Sequence, residues 1–301
     1  MSKINLAVIG SSSMVGSRFC ELASKNLNLV KADFNGDVQI DITSKESVSI
    51  FFKKNNFESL ILFSAFTDVD SAESQRNNKN GSCWMVNVVG VENIVSECQK
   101  TKRNLILIST DFVFDGSNGP YSESDPPGPD MKKVSWYGIT KVESEKIVKS
   151  LQNYMILRIS YPYRGRFNSK DDIAKRILRM AKDNTLYPMF SDQIITPTFI
   201  DDISTAAPLI IKNRGGGIIH LASPKITTQY EFAKELLSVF NDDPDKVKKG
   251  SLVSFLNEGN TPRPQKGGLK TEKIEKLGFT PTDWKTGIKK IFDQSQGQLL
   301  Q

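Results

Sequence analysis

Ile4-Asn5-Leu6-Ala7-Val8-Ile9-Gly10-Ser11-Ser12-Ser13-Met14-Val15-Gly16 is the stretch that decides the fold. Its first six residues are a short apolar run of the kind a buried strand shows. Gly10 ends the run, and Val15, Phe19, Leu22 and Ala23 then recur on one face of a helix. A strand, a glycine turn and a helix N-terminus make a pocket for a pyrophosphate, because backbone N–H groups and the helix dipole point into it. The same glycines would also suit a plain strand-to-helix turn. The rest of the chain has to separate the two.

Leu27 to Phe34 reads as a second strand, with Asp33 near its end, 23 residues after Gly10. An acid at that distance commonly meets the adenosine ribose of a dinucleotide. Lys31 lies close by and would favour a 2′-phosphate instead. Ser44 is placed to cap a helix running to about Asn55. Leu60-Ile61-Leu62-Phe63 is the next buried strand, followed by the small residues Ser64 and Ala65, which let backbone approach a cofactor. A helix is expected from about Ser82 to Lys100.

Leu105-Ile106-Leu107-Ile108 is another buried strand, ending in Ser109-Thr110-Asp111. After a loop rich in Gly and Pro, Tyr137-Gly138-Ile139-Thr140-Lys141 opens a helix that continues through Val142, Ile147 and Val148 to about Leu151. A Tyr and a Lys four apart share one helix face. A phenol ionises near pKa ~10, and an adjacent ammonium stabilises its anion, so the pair predicts a lowered phenol. A hydroxyl at the facing strand end, Thr110, would hold a substrate oxygen beside it. Such a set polarises a carbonyl and delivers a proton to it. Tyr154 to Ile159 then runs as a strand into Ser160-Tyr161-Pro162-Tyr163-Arg164-Gly165, which reads as a binding rim.

Composition narrows the classes. The chain has 301 residues, 38% hydrophobic and 25% charged, which describes an ordinary globular protein with a sizeable core. Forty basic and 34 acidic side chains give a net charge of +6 without a continuous basic stripe. A nucleic-acid partner is therefore not expected, whereas an anionic small substrate suits the bias. Three cysteines without motif spacing, Cys20, Cys83 and Cys98, read as free buried thiols in a reducing compartment. The single histidine, His220, lies in the strand-like run Ile218-Ile219-His220-Leu221 and reads as core. One histidine argues against a His-rich metal site and a serine-hydrolase triad, and no metal is expected. No signal-like segment precedes Ile4 and no apolar run approaches ~20 residues, so the expected location is cytoplasmic, with no membrane partner.

Thr110, Tyr137 and Lys141 resemble the Ser/Thr–Tyr–Lys set of the extended short-chain dehydrogenase/reductases. Gly10 to Gly16 resembles their Gly-x-x-Gly-x-x-Gly turn, with Ser13 in place of the middle glycine and its hydroxyl offered to phosphate. Further signatures, in order, resemble the dTDP-4-dehydrorhamnose reductase-like branch and cover roughly Ile4 to Phe292. They are the loop from Ser64 to Glu73, the Pro197-Thr198 turn within 192–202, and Arg263-Pro264 before Leu269-Lys270-Thr271-Glu272-Lys273.

That resemblance implies a doubly wound parallel α/β sheet (Rossmann) with a smaller C-terminal substrate lobe. Residues 1–160, with returning segments near 196–222, would bind the dinucleotide; residues 161–195 and 223–301 would bind substrate. The implied cofactor, NADPH or NADH, would meet Gly10, Ser12, Ser13, Met14, Val15, Gly16, Asp33, Asp41, Ile42, Ser64, Ala65, Phe66, Thr67, Asn87 and Lys141. Substrate, a nucleotide sugar, would meet Asp111, Phe112, Tyr161 (usually Trp in the family) and Arg263, whose guanidinium faces a phosphate.

The implied reaction is hydride transfer to C4 of a 4-keto-6-deoxy sugar nucleotide. Related dehydratases carry an acid where Phe112 stands, and epimerase-reductases use a Cys–His pair that His220 does not supply. A cofactor-binding regulatory subunit, like the β subunit of methionine adenosyltransferase, shares the same signatures. The intact Thr110, Tyr137 and Lys141 favour an enzyme over that alternative. A homodimer stays open.

Overall fold

Strands β1 (Asn5–Ile9), β2 (Asn28–Ala32), β3 (Ser59–Leu62), β4 (Asn104–Thr110), β5 (Tyr154–Ile159) and β7 (Ile218–His220) form one sheet in the order β2-β1-β3-β4-β5-β7. All five pairings are parallel. The computed structural model describes residues 4–23, 27–167, 169–212 and 217–300. Residues 213–216, within the expected returning segment, lie outside that set. Because every strand points the same way, the segments following β1, β3, β4 and β5 emerge along one edge. From β1 the chain moves to one side for β2 and to the other for β3. This is the topological switch point at which open α/β sheets bind ligands. The expected doubly wound parallel sheet is present.

Alternation along the strands sends side chains to two cores. Leu6 and Val8 pack with Phe19 of α1 (Met14–Ala23) and Ile203 of α8 (Asp201–Lys212). Ala7 and Ile9 pack with Phe51 of α2 (Lys45–Lys54) and Ile94 of α5 (Gly90–Thr101). Both faces of the sheet are thus covered, which explains why its strands read as continuous apolar runs. A third core joins Ile177 of α7 (Ile173–Lys182), Phe232 and Leu236 of α9 (Gln229–Val239), and Ile288 of α12 (Trp284–Ser295). A two-stranded sheet of β6 (Met189–Phe190) and β8 (Lys249–Gly250) lies in the same half, with α10 (Leu252–Asn257) following β8. Ile274 of α11 (Glu272–Lys276) joins the first core of the main sheet instead.

Local signals held where they were local. Ser44 accepts from Ser47 N–H at the start of α2, as its position predicts, and α9 is found to be capped in the same way by Thr228, which accepts from Glu231 N–H. His220 is fully buried, and the three cysteines are buried and free. Arg176 and Arg179 sit on the exposed face of α7, where Arg179 pairs with Asp171. Three boundaries differ from expectation. β2 stops at Ala32 rather than Phe34, because the Asp33 carboxylate takes the Phe34 amide at 2.8 Å and starts a turn. α6 (Trp136–Val148) stops short of Leu151, where the Ser150 hydroxyl takes the Ile147 carbonyl at 2.7 Å. The single helix expected from Ser82 is broken: α4 (Ser82–Trp84) passes through a wide π turn, Met85–Val89, before α5 begins. Short α3 (Val69–Glu73) precedes it.

Candidate active site

The glycine turn sits at the carboxyl end of β1 and is held from both sides. Gly10 adopts φ +84, and a Cβ there would lie 2.5 Å from Ser64 N, so the two loops touch across the switch point. At Gly16 a Cβ would lie 2.1 Å from the Gly10 carbonyl, so only glycine lets α1 pack onto the turn. Ser13 differs from its expected role: its hydroxyl donates to Gly10 O at 2.7 Å and accepts from Gly16 N–H at 3.1 Å. Its proton is thereby spent inside the turn. The Met14 and Val15 amides, at the first turn of α1, have no protein acceptor among the described residues. Two free amides at a helix N-terminus, beside a cradle that a side chain would fill, fit a pyrophosphate.

Asp33 closes the other side of that cradle. Its Oδ2 accepts from Ser12 N–H at 2.8 Å and from the Ser12 hydroxyl at 2.6 Å. Lys31 lies exposed on β2. Asp41 holds its own turn through Thr43, and Ile42 turns its side chain into the core against Gly90. Across the switch point, the backbone of Phe66 is clamped by Asn87, whose Oδ1 accepts from Phe66 N–H at 2.8 Å. Asn87 Nδ2 donates to Phe66 O and to Thr140 Oγ1, each at 3.0 Å. The π turn brings Asn87 to that place, joining the Ser64-Ala65-Phe66-Thr67 loop to the helix of Tyr137.

Thr110, Tyr137 and Lys141 converge beneath this loop. Thr110 is the last residue of β4, and α6 is capped by Ser135, which accepts from Gly138 N–H. All three side chains are buried. The expected lowering of the phenol by the ammonium is not found. Burial pushes the Tyr137 phenol up; the Thr110 hydroxyl offsets this in part, and the Asp111 carboxylate adds to it. Lys141 donates to Ile108 O at 2.8 Å, and burial lowers it to about 8, with Glu145 opposing. A raised phenol is neutral at physiological pH and so remains a proton donor, which suits reduction of a carbonyl.

Asp111 and Phe112 form the turn that follows Thr110. Asp111 accepts from Ser160 Oγ at 2.7 Å, and burial pushes its carboxyl up to about 6, with the Ser160 and Thr110 hydroxyls opposing. The Phe112 ring stands 5.9 Å from Tyr137 and 6.1 Å from Tyr161, so the three aromatics form one wall. Tyr161 holds a left-handed backbone, φ +41, which is costly for a bulky residue and points to a functional constraint. Arg263, expected to face a substrate phosphate, is paired with a carboxylate of this chain. Its Nη2 donates to both oxygens of Asp70, in the first turn of α3, at 2.9 Å.

Four further residues support the site without having been singled out by sequence. Glu73 accepts from Trp136 N–H at 2.7 Å and pairs with Arg76, fixing the start of α6. Glu145, one turn after Lys141, accepts from Ser109 Oγ at 2.6 Å and pairs with Arg158. Its i,i+4 spacing from Lys141 was the available signal. Gln193 and Gln229 donate to the Tyr161 phenol at 3.1 and 3.5 Å; nothing local in sequence marks them. Among the described residues there is no cluster suited to a metal ion, and no helix is long and apolar enough to cross a membrane.

The chain is similar to known proteins over almost its whole length. The dTDP-4-dehydrorhamnose reductase of Mycolicibacterium smegmatis is 28% identical over 290 residues, covering 94% of this chain and 83% of the relative. That of Aggregatibacter actinomycetemcomitans is 28% identical over 303 residues, covering 95% and 97%. Among solved structures, a dTDP-4-dehydrorhamnose reductase from Bacillus anthracis in complex with NADP superposes with a TM-score of 0.85 at 25% identity, covering 98% of this chain and 100% of that one. The sequence profile described as the RmlD substrate binding domain matches residues 4–296, and the chain belongs to that family.

Proposed function

We propose that the protein is an NAD(P)H-dependent reductase of a nucleotide sugar, acting on the keto group of a 4-keto-6-deoxy sugar with Tyr137 as proton donor. The observation that carries this reading is the meeting of Thr110, neutral Tyr137 and Lys141 beside a glycine turn with two free amides. The dinucleotide supplies hydride when bound. Gly10, Met14, Val15 and Gly16 would hold its pyrophosphate, Asp33, braced by Ser12, and Asp41 its adenosine end, and the Ser64–Thr67 loop its middle. Thr110 orients the substrate oxygen, Tyr137 protonates it, and Lys141 stabilises the phenolate left behind. Asp111, Phe112 and Tyr161 form the sugar's wall, and residues 161–195 and 223–301 furnish the nucleotide end. Oxidation of NADH and NADPH against a panel of 4-keto nucleotide sugars tests the assignment. Cofactor binding without turnover on any of them would favour the regulatory alternative.

Two further outcomes follow from named residues. Asp33 suits a free ribose diol and repels a 2′-phosphate, whereas Lys31 offsets that repulsion from an exposed position. An exposed charge contributes about 1 kcal/mol or less, so NADH and NADPH should bind with affinities within about tenfold of each other. Fluorescence titration of each reduced cofactor into the free protein measures this, and a preference beyond about a hundredfold would contradict it. Arg263→Ala should raise KM for the nucleotide sugar by about tenfold, with a smaller change in kcat, since a charge-assisted bond to phosphate is lost. An unchanged KM in a folded variant would remove Arg263 from the site.

A further inference from the structure

The start of α3 and the loop leading into it are gripped by two cations that belong to the far half of the molecule. Lys170 Nζ donates to Thr67 Oγ1 at 3.0 Å, and Arg263 Nη2 meets both Asp70 oxygens at 2.9 Å. Arg263 is held in place by its own lobe: Nη1 donates to Thr261 O at 3.1 Å, and the guanidinium lies 5.1 Å from the Phe255 ring centre. Phe255 in turn packs on Phe190 at 5.4 Å. The arginine is therefore preset, with its Nη2 edge turned to Asp70. Asp70 is the opposite. Its side chain is 64% exposed, against 17% for Arg263, and its carboxylate has no other partner among the described residues. The charge of Arg263 also reaches the Tyr161 phenol, which it lowers in part against burial.

A carboxylate and a phosphate present the same pair of oxygens to a guanidinium. We propose that Asp70 is an internal competitor for the nucleotide sugar, its carboxylate filling the Arg263 fork until the substrate pyrophosphate displaces it. The proposal rests on the reading of Arg263 as the phosphate anchor. An exposed carboxylate pair contributes little, so a more highly charged pyrophosphate can displace it, and Asp70 returns to water with small loss. Once displaced, its negative charge stays near the bound phosphates and favours release of the product nucleotide. Asp70 thereby sets affinity and exchange rather than chemistry.

The test is calorimetric titration of dTDP and UDP into the cofactor-loaded protein, comparing wild type with Asp70→Asn, Arg263→Ala and the double variant. Asp70→Asn keeps the size of the side chain at its exposed place on α3 and removes the competing charge. It should bind the nucleoside diphosphate about three- to tenfold more tightly, with cofactor affinity unchanged. The gain should vanish in the double variant. Unchanged or weaker binding by Asp70→Asn, alongside weaker binding by Arg263→Ala, overturns the competitor and leaves the anchor standing. If Arg263→Ala also leaves binding unchanged, the anchor reading itself falls.

Discussion

Tyr137→Phe should lower kcat by roughly 10²–10⁴-fold while leaving the affinity for NADH or NADPH within about twofold, because only the proton-transfer step is removed. The structure makes this a clean substitution. The ring is 8% exposed and packs against Phe112 at 5.9 Å, and phenylalanine keeps that packing. What is lost is the hydroxyl beside Thr110. Burial and the Asp111 charge hold that hydroxyl protonated, so the wild type carries its proton through the neutral range. Lys141, lowered to about 8, remains mostly charged there and can stabilise the phenolate once the proton has gone. Single-turnover oxidation of the reduced cofactor, with near-UV circular dichroism as a control of folding, reads the effect. Near-normal turnover in a folded variant would take Tyr137 out of the mechanism.

What could be read from the sequence was what neighbouring residues determine. The Gly10–Gly16 turn, the Ser44 cap and the buried runs of β3 and β4 depend on a few adjacent residues, and each sits where its spacing put it. The convergence of Thr110 with Tyr137 followed because a parallel strand and the helix after it are close in sequence. The direction of the phenol shift was not legible. It depends on how deeply the site is buried and on Asp111, and Lys141 spends its bond on the Ile108 carbonyl. Nor does the apolar pattern of 82–101 reveal the π turn, since one widened turn leaves most of the periodicity intact. The Arg263–Asp70 pair joins residues 193 positions apart, beyond the reach of any spacing rule. Tyr161 gives no hint of φ +41, because a tyrosine is not a residue from which a left-handed backbone is inferred.

Glu145→Ala should destabilise the fold by roughly 3–5 kcal/mol, the cost of leaving a buried charge without its partner. Arg158 has no exposed side-chain surface and Glu145 has 1%, and they meet through two bonds, Nε to Oε1 at 2.8 Å and Nη2 to Oε2 at 2.6 Å. The pair ties α6 to β5, while Ser109 Oγ on β4 donates to the same Oε1. His220 completes the set on β7. Its Nδ1 lies 3.2 Å from Lys270 O, which can only accept a hydrogen bond, so Nδ1 carries the ring proton and Nε2 is left to accept from Arg158 Nη1 at 3.3 Å. Burial and the Arg158 charge hold the ring neutral, down to about 3. Removing Glu145 leaves the guanidinium facing a neutral histidine and a single hydroxyl. With whole-domain stabilities of about 5–15 kcal/mol, that loss is large. Replacing both partners by apolar side chains, Glu145→Leu with Arg158→Met, should recover most of it, because no unpaired charge remains. Denaturant midpoints for the single and double variants separate the two contributions. A Glu145→Ala loss under about 1 kcal/mol would mean that solvent reaches Arg158 in the variant, and that the pair is not what pins the catalytic helix to the sheet.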